Sequence, residues 1–233
     1  MERQWKEYFL TWSKTEEFRA KLDEAKSIIA EALERFEKPY IAYSGGKDST
    51  ALMHMVLQQN SDITVVHWDY GKYYIPRPLH REILKIARKC GAKNLIVLTS
   101  PLYDILKRNA KGVLGRCFIG IEVPKLIKQG YDCAFLGLRA EESVRRRIRT
   151  EGFYEYDKRG IWNVFPLRNW TWRDVWAYIV SNTVPYLRSF YDKYGSLLGW
   201  DKVRFVTLFD PEFDRFGSTN VDKYLMWKFY NTK

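Results

Sequence analysis

Tyr40-Ile41-Ala42-Tyr43, then Ser44-Gly45-Gly46-Lys47-Asp48-Ser49-Thr50, then Ala51-Leu52-Met53-His54-Met55-Val56-Leu57 carry three structural instructions in succession. A short β-branched and aromatic run reads as a buried strand, two glycines let the backbone turn tightly, and the apolar residues that follow have helical spacing. At such a helix start the first amides point outward, with the positive end of the helix dipole behind them. Together with the hydroxyls of Ser44, Ser49 and Thr50 they suit a cluster of anionic oxygens such as pyrophosphate. The spelling is neither Gly-x-x-x-x-Gly-Lys-Ser/Thr nor Gly-x-Gly-x-x-Gly, so two common phosphate-binding loops are excluded.

Outward from this turn, a strand and helix alternation runs through the middle of the chain. Tyr40 to Tyr43, Ile63 to Trp68, Asn94 to Leu98, Cys133 to Leu136 and Trp162 to Phe165 are strand candidates, with helices expected near 48–59, 77–90, 101–109 and 118–129. The pattern predicts an α/β fold, a twisted parallel sheet with helices on both faces, whose ligands bind at the carboxyl ends of the strands. Before it, Phe18, Leu22, Ala25, Ile29, Ala32 and Phe36 form one apolar stripe, with Ser13 and Glu16 as a capping box. After it, Thr171 caps a helix through Trp172, Val175, Trp176 and Ile179, and the last fifty residues read as loops and short helices. The expected organisation is one domain over 1–233: a helical extension at 1–37, a nucleotide-binding core at 38–168, and a helix- and loop-rich segment at 169–233.

The 233 residues are 46% hydrophobic and 16% aromatic, enough for a substantial core. There is no run of 18 apolar residues, and the charged start Met1-Glu2-Arg3-Gln4-Trp5-Lys6-Glu7 does not read as a signal peptide, so no membrane is expected and a cytoplasmic location is. Cys90, Cys117 and Cys133 lie far apart without Cys-x-x-Cys, so neither a disulfide framework, a zinc site nor an iron–sulfur cluster is expected, and no metal-ligand set stands out. The net charge of +11 implies anionic partners: nucleotides, sulfate, an acidic protein or a nucleic acid backbone. Much of the excess is scattered lysine, but five arginines, Arg139, Arg145, Arg146, Arg147 and Arg149, fall within eleven residues.

Two further segments follow strand candidates. Asp69, in Val65-Val66-His67-Trp68-Asp69-Tyr70-Gly71, belongs to the same sheet edge as Ser44 and could help hold Mg²⁺ or a nucleotide, although Asp-x-Gly is equally what a strand end needs sterically. Leu136-Gly137-Leu138-Arg139-Ala140-Glu141-Glu142-Ser143 places a glycine where backbone can approach a ligand closely. There Arg139 can grip a phosphate or sulfate bidentately, and Glu142 can orient that arginine or accept hydrogen bonds from hydroxyls. His54, His67 and His80 have no spacing that suggests catalysis or a metal site.

Ser-Gly-Gly-x-Asp-Ser resembles the PP-loop of the ATP pyrophosphatase, or adenine nucleotide α-hydrolase, superfamily. With Gly137-Leu138-Arg139-Ala140-Glu141-Glu142-Ser143, Pro166-Leu167, Trp170 and Asp174-Val175-Trp176, residues 38 to 192 resemble the phosphoadenosine phosphosulfate (PAPS) reductase family, which includes the small subunit of ATP sulfurylase. The resemblance implies ATP or a related adenine nucleotide with Mg²⁺ as cofactors. Its phosphates would contact Ser44, Gly45, Gly46, Lys47, Asp48, Ser49 and Thr50, with Asp69, Gly137 and Glu142 near the nucleotide, and Arg139 with Arg145 at the anionic end of the substrate. Lys47, Asp48 and Arg139 are the expected catalytic residues, for α–β phosphate cleavage or adenylyl transfer to a small anion such as sulfate, alone or with a protein partner.

Reductases of the family attack sulfur with a cysteine near the carboxyl terminus, and no cysteine follows Cys133 here. Adenylyl transfer is therefore the first expectation. Its rivals are a sulfonucleotide reductase using Cys117 or a partner's thiol, a nucleic acid modification component that uses the basic aromatic surface, and a binding role without catalysis.

Overall fold

Strand β1 (Pro39–Tyr43) pairs in parallel with β2 (Thr64–Asp69) on one side and β4 (Cys133–Phe135) on the other, which places the Ser44 turn at the middle of a sheet. The computed structural model describes residues 1–107, 109 and 113–205, with Leu114 and Arg145 as backbone only. With β3 (Asn94–Thr99) parallel to β2, β6 (Ile161–Val164) parallel to β4, and β5 (Tyr154–Asp157) at the edge, the order is β3-β2-β1-β4-β6-β5. Because the chain leaves β1 for β2 and later returns on the other flank to β4, the crevice at the carboxyl ends of β1 and β4 is where such a sheet takes a ligand.

Alternation along the strands feeds two cores. Ile41, Tyr43, Val65, Phe135 and Val164 join one large apolar cluster, whereas Tyr40, Val66, Ala134 and Ile161 join a second with Val123, Leu126 and Tyr131. Burial on both faces is why the strands read as continuous apolar runs. The large cluster takes in α1 (Arg3–Trp12), α2 (Glu16–Arg35), α3 (Lys47–Gln59), α4 (Arg77–Lys89), α9 (Trp172–Ser181) and α10 (Arg188–Leu198). The expected apolar stripe of the first segment is buried at Phe18, Ala25, Ile29, Ala32 and Phe36, so this segment is part of the core wall.

Several boundaries differ from those expected, each for a local reason. Thr15, whose hydroxyl accepts from Phe18 N, caps α2, while Ser13 ends the additional helix α1. The helix expected over 101–109 is the short α5 (Leu102–Leu106). The span 118–129 divides into a π-turn, Phe118–Glu122, and α7 (Val123–Lys128), after a short α6 (Leu114–Cys117). Pro124 explains the division, since its ring crowds the carbonyl four residues back and it lacks the amide to bond it. A sixth strand, β5 (Tyr154–Asp157), pairs antiparallel with β6 through a turn in which Gly160 has φ +88°. Thr171 caps α9 as expected, accepting from Asp174 N while the Asp174 carboxylate accepts from Thr171 N. Pro211 and Gly217 lie outside the described residues. No helix among the described residues is long and apolar enough to cross a membrane.

Candidate functional site

Gly45 has φ +85°, and a Cβ there would come within 2.8 Å of Ile83 on α4, so the turn both needs left-handed backbone and has no room for a side chain. Its hydroxyls brace it from within. Ser44 Oγ and Ser49 Oγ are 2.9 Å apart, Gly46 N donates to Ser44 Oγ (3.3 Å), and the Ser49 and Thr50 hydroxyls donate to Gly46 O (3.1 and 2.8 Å). Ser44 is exposed, whereas Ser49 and Thr50 are buried. Ser44 is therefore open to solvent, and Ser49 and Thr50 hold the loop's shape.

Behind the loop lies a chain of buried charges. Lys47 is 1% exposed, and its Nζ is 3.1 Å from Asp48 Oδ2; burial, partly offset by Asp48, depresses its ammonium. Asp48 Oδ1 accepts from Arg139 Nε at 2.5 Å. Burial alone would raise the Asp48 carboxyl, but the Arg139 guanidinium and the Lys47 ammonium outweigh it and hold it well below the usual range. Arg139, also 1% exposed, bonds Glu141 Oε2 through Nη1 at 2.5 Å and has Nη2 3.9 Å from Glu142 Oε1. Burial works against its charge, yet the three carboxylates push its pKa up.

The second motif is built against the first. A Cβ on Gly137 would stand 3.0 Å from Ser49 N and 3.1 Å from the Asp48 carbonyl carbon, so backbone meets backbone. Glu142 accepts from Arg139 N (3.2 Å) and bonds Arg146, on α8 (Val144–Arg149). Its other oxygen faces Arg204 Nη1 at 3.8 Å. Sequence reasoning gave Arg139 an outward grip on an anion; the structure turns it inward, onto Asp48 and Glu141. Arg145 lies on α8, with its side chain outside the described residues.

Asp69 ends β2, beside β1, but its carboxylate is forked by Arg77 (2.7 and 3.0 Å) and accepts from Gly71 N (2.8 Å). Burial raises its carboxyl, and Arg77 together with the Gly71 amide pulls it below the usual value. Its oxygens are thus committed to the β2–α4 connection. Among the described residues no group of three or more His, Cys, Asp and Glu side chains could hold a metal ion. Sequence reasoning also missed Tyr191, whose hydroxyl accepts from Lys47 N (3.0 Å) and Phe205 N (3.2 Å), because no spacing links a residue on α10 to the loop.

The phosphoadenosine phosphosulfate reductase domain model matches residues 38–220. Among curated proteins, sulfate adenylyltransferase subunit 2 of Methylobacterium radiotolerans is 30% identical over 203 residues, covering 70% of this chain and 60% of that protein. The subunit 2 of Mycobacterium sp. (strain KMS) is 27% identical over 183 residues, 67% of this chain and 59% of that protein. A probable FAD synthase of Caenorhabditis elegans is 28% identical over 188 residues, 79% of this chain and 34% of that protein. The chain thus spans about 59% of the length of the first of these relatives. Two solved structures share the fold. The Candida auris PAPS reductase phosphate complex has a TM-score of 0.53 at 18% identity, covering 71% of this chain and 82% of that one. Candida glabrata FMN adenylyltransferase with FMN and an ATP analog has 0.55 at 15%, covering 80% and 65%. With the loop, the Gly137 to Ser143 segment and the sheet order all in place, the chain belongs to the phosphoadenosine phosphosulfate reductase domain family.

Proposed function

We propose that the chain binds ATP with its phosphates on residues 44–50 and transfers the adenylyl group to an anionic acceptor, releasing pyrophosphate. The observation that carries this reading is the backbone contact between Gly137 and the start of α3, which joins a glycine turn to a buried Lys47–Asp48–Arg139 charge chain at the carboxyl edge of a parallel sheet. An acceptor oxygen attacks the α phosphorus, the bond from that phosphorus to the bridging oxygen breaks, and the leaving pyrophosphate keeps the electron pair. Fixed amides and cations can neutralise that charge without reorganising. Mg²⁺ is expected to arrive on the phosphates, keeping several waters, as this ion usually does. When bound it would neutralise phosphate charge; both oxygens of Asp48, the loop carboxylate, are engaged by Arg139 and Lys47, so the phosphates and water would hold the ion.

The thiols argue against the reductase alternative. Burial pushes the Cys90 thiol up to about 12 and raises Cys133 as well. Cys117 is 4% exposed within an apolar cluster of Trp68, Tyr74 and Tyr103. None offers an accessible thiol. The relatives' names supply two acceptor classes, sulfate and the phosphate of FMN, and "subunit 2" suggests a partner chain for the first.

The deciding measurement is pyrophosphate release from ATP and Mg²⁺ with sulfate, with FMN and with neither. Acceptor-dependent release, lost in Gly45→Val, supports adenylyl transfer. Sulfite release from a sulfonucleotide with thioredoxin, and no pyrophosphate release under any condition, sinks it. A salt-sensitive nucleic acid complex in place of acceptor turnover would favour the modification role instead.

A further inference from the structure

A third segment reaches the phosphate loop from the far end of the described chain. After α10, Gly199 (φ +95°) turns the backbone, and Val203 N returns a hydrogen bond to Gly199 O (3.0 Å). The turn is pinned by Trp200, fully buried, edge-on to Trp176 at 4.9 Å, its carbonyl accepting from Trp176 Nε1 (3.2 Å). Phe205 packs on Phe190 with centroids 5.4 Å apart. Between these anchors the strap crosses the loop: Phe205 N shares the Tyr191 hydroxyl with Lys47 N, and Phe205 O would be 3.5 Å from a Cβ on Gly46.

Arg204 is the strap's charged residue at this crossing. Its side chain is 21% exposed, but Nη1 is buried and, among the described residues, has no hydrogen-bond partner; the carboxylate oxygen Glu142 Oε1 is 3.8 Å away. An orphaned buried donor on a guanidinium is costly, and the cost disappears once an acceptor arrives. The 3.8 Å separation is beyond hydrogen-bond range, so Glu142 does not satisfy this nitrogen.

Building on the ATP reading above, we infer that Arg204 is a phosphate-binding residue, which places a guanidinium donor on an oxygen of the nucleotide's β–γ end from the side opposite the loop amides. The site would then be closed by three segments: the loop, the Gly137 to Glu142 turn, and the 199–205 strap held by Tyr191. The ligand class is a condensed phosphate.

The test titrates full-length wild type, Arg204→Gln, Arg204→Lys and Gly45→Val with inorganic pyrophosphate, ATP and adenosine by calorimetry. Arg204→Gln is expected to weaken pyrophosphate and ATP by roughly ten- to a hundredfold, the loss typical of a charge-assisted bond, and to leave adenosine unchanged. Arg204→Lys should recover part of the loss. Unchanged pyrophosphate affinity in Arg204→Gln, alongside loss in Gly45→Val, would overturn the role of Arg204 and leave the ATP reading standing. Wild type that binds neither ATP nor pyrophosphate would overturn both. If Arg204→Gln melts early, Arg204→Lys decides: near wild-type melting with most pyrophosphate affinity retained supports the inference, and near wild-type melting with affinity at the Gly45→Val level refutes it.

Discussion

Asp48 Oδ1 and Arg139 Nε are 2.5 Å apart, although 91 residues separate them in sequence. One side chain starts the helix after the glycine turn, and the other follows β4. Their bond makes the two motifs one electrostatic unit, in which losing either member leaves the other buried and only partly compensated, Asp48 by Lys47 and Arg139 by Glu141 and Glu142.

Arg139→Ala should therefore destabilise the fold as well as the site. Breaking a buried pair by removing one partner costs about 3–5 kcal/mol, and here three carboxylates share the arginine. Urea unfolding should show a lower midpoint with little change in slope. Arg139→Lys should rescue only in part, since a point charge cannot fork between Asp48 and Glu141. A wild-type midpoint in Arg139→Ala would mean that solvent already screens the pair.

Gly137→Ala should damage nucleotide binding through backbone displacement. The added methyl meets the Ser49 amide and the Asp48 carbonyl carbon, neither of which can rotate away. Overpacking of this kind costs roughly 1–3 kcal/mol. We expect a melting temperature lowered by several degrees, about what such a loss produces in a chain of this size, and weaker ATP binding. Equal ATP affinity at saturating folded fraction would show that the loop tolerates the shift.

His67 should give the protein a stability slope between about pH 6.5 and 4. Its ring is fully buried, and burial lowers it to about 4 despite the hydrogen bond of Nδ1 with Tyr43 O. Across that window the unfolded chain takes a proton that the native ring refuses, so stability falls as pH drops, then levels for this group below 4. The full loss is about 3 kcal/mol. His54 and His80 are lowered too and act in the same direction. Asp48 and Asp69, held below their usual values, add losses only below about pH 4, where unfolded carboxylates protonate. Denaturant unfolding at several pH values should show a shallower slope in His67→Asn; an unchanged slope would assign it to the other histidines.

All three thiols should be silent in the native protein. A disulfide reagent should label Cys90, Cys117 and Cys133 at least roughly a hundredfold more slowly than after denaturation, as expected for buried thiols. With a sulfonucleotide, thioredoxin and its reductase, sulfite should stay at background. Sulfite that appears with the intact protein and vanishes in Cys117→Ser would assign Cys117 as nucleophile.

What could be read from sequence was whatever the backbone announces locally. The glycine turn, the strand before it, α3 after it and the Thr171 cap all depend on residues within a turn or two of one another, and all are found. What could not be read depends on distant partners. Nothing near Arg139 in sequence says that Asp48 will claim its Nε, and nothing near Tyr191 says that Lys47 N will meet its hydroxyl. Asp69 shows the same limit, since the arginine that occupies it lies beyond a loop. The strand β5 escaped notice because an edge strand with one covered side need not be apolar, and Tyr154-Glu155-Tyr156-Asp157 is not.

Phe9 on α1 is fully buried against Trp172 and Trp176, with ring centroids 6.0 and 6.3 Å away. Trp176 in turn touches Trp200, at the root of the strap that carries Arg204. The first helix is thus a keystone for a segment nearly two hundred residues later. A chain shortened by those few residues would lose more than a decoration: it would bare the indoles of Trp172 and Trp176 and loosen the 199–205 strap beside the Ser44 turn.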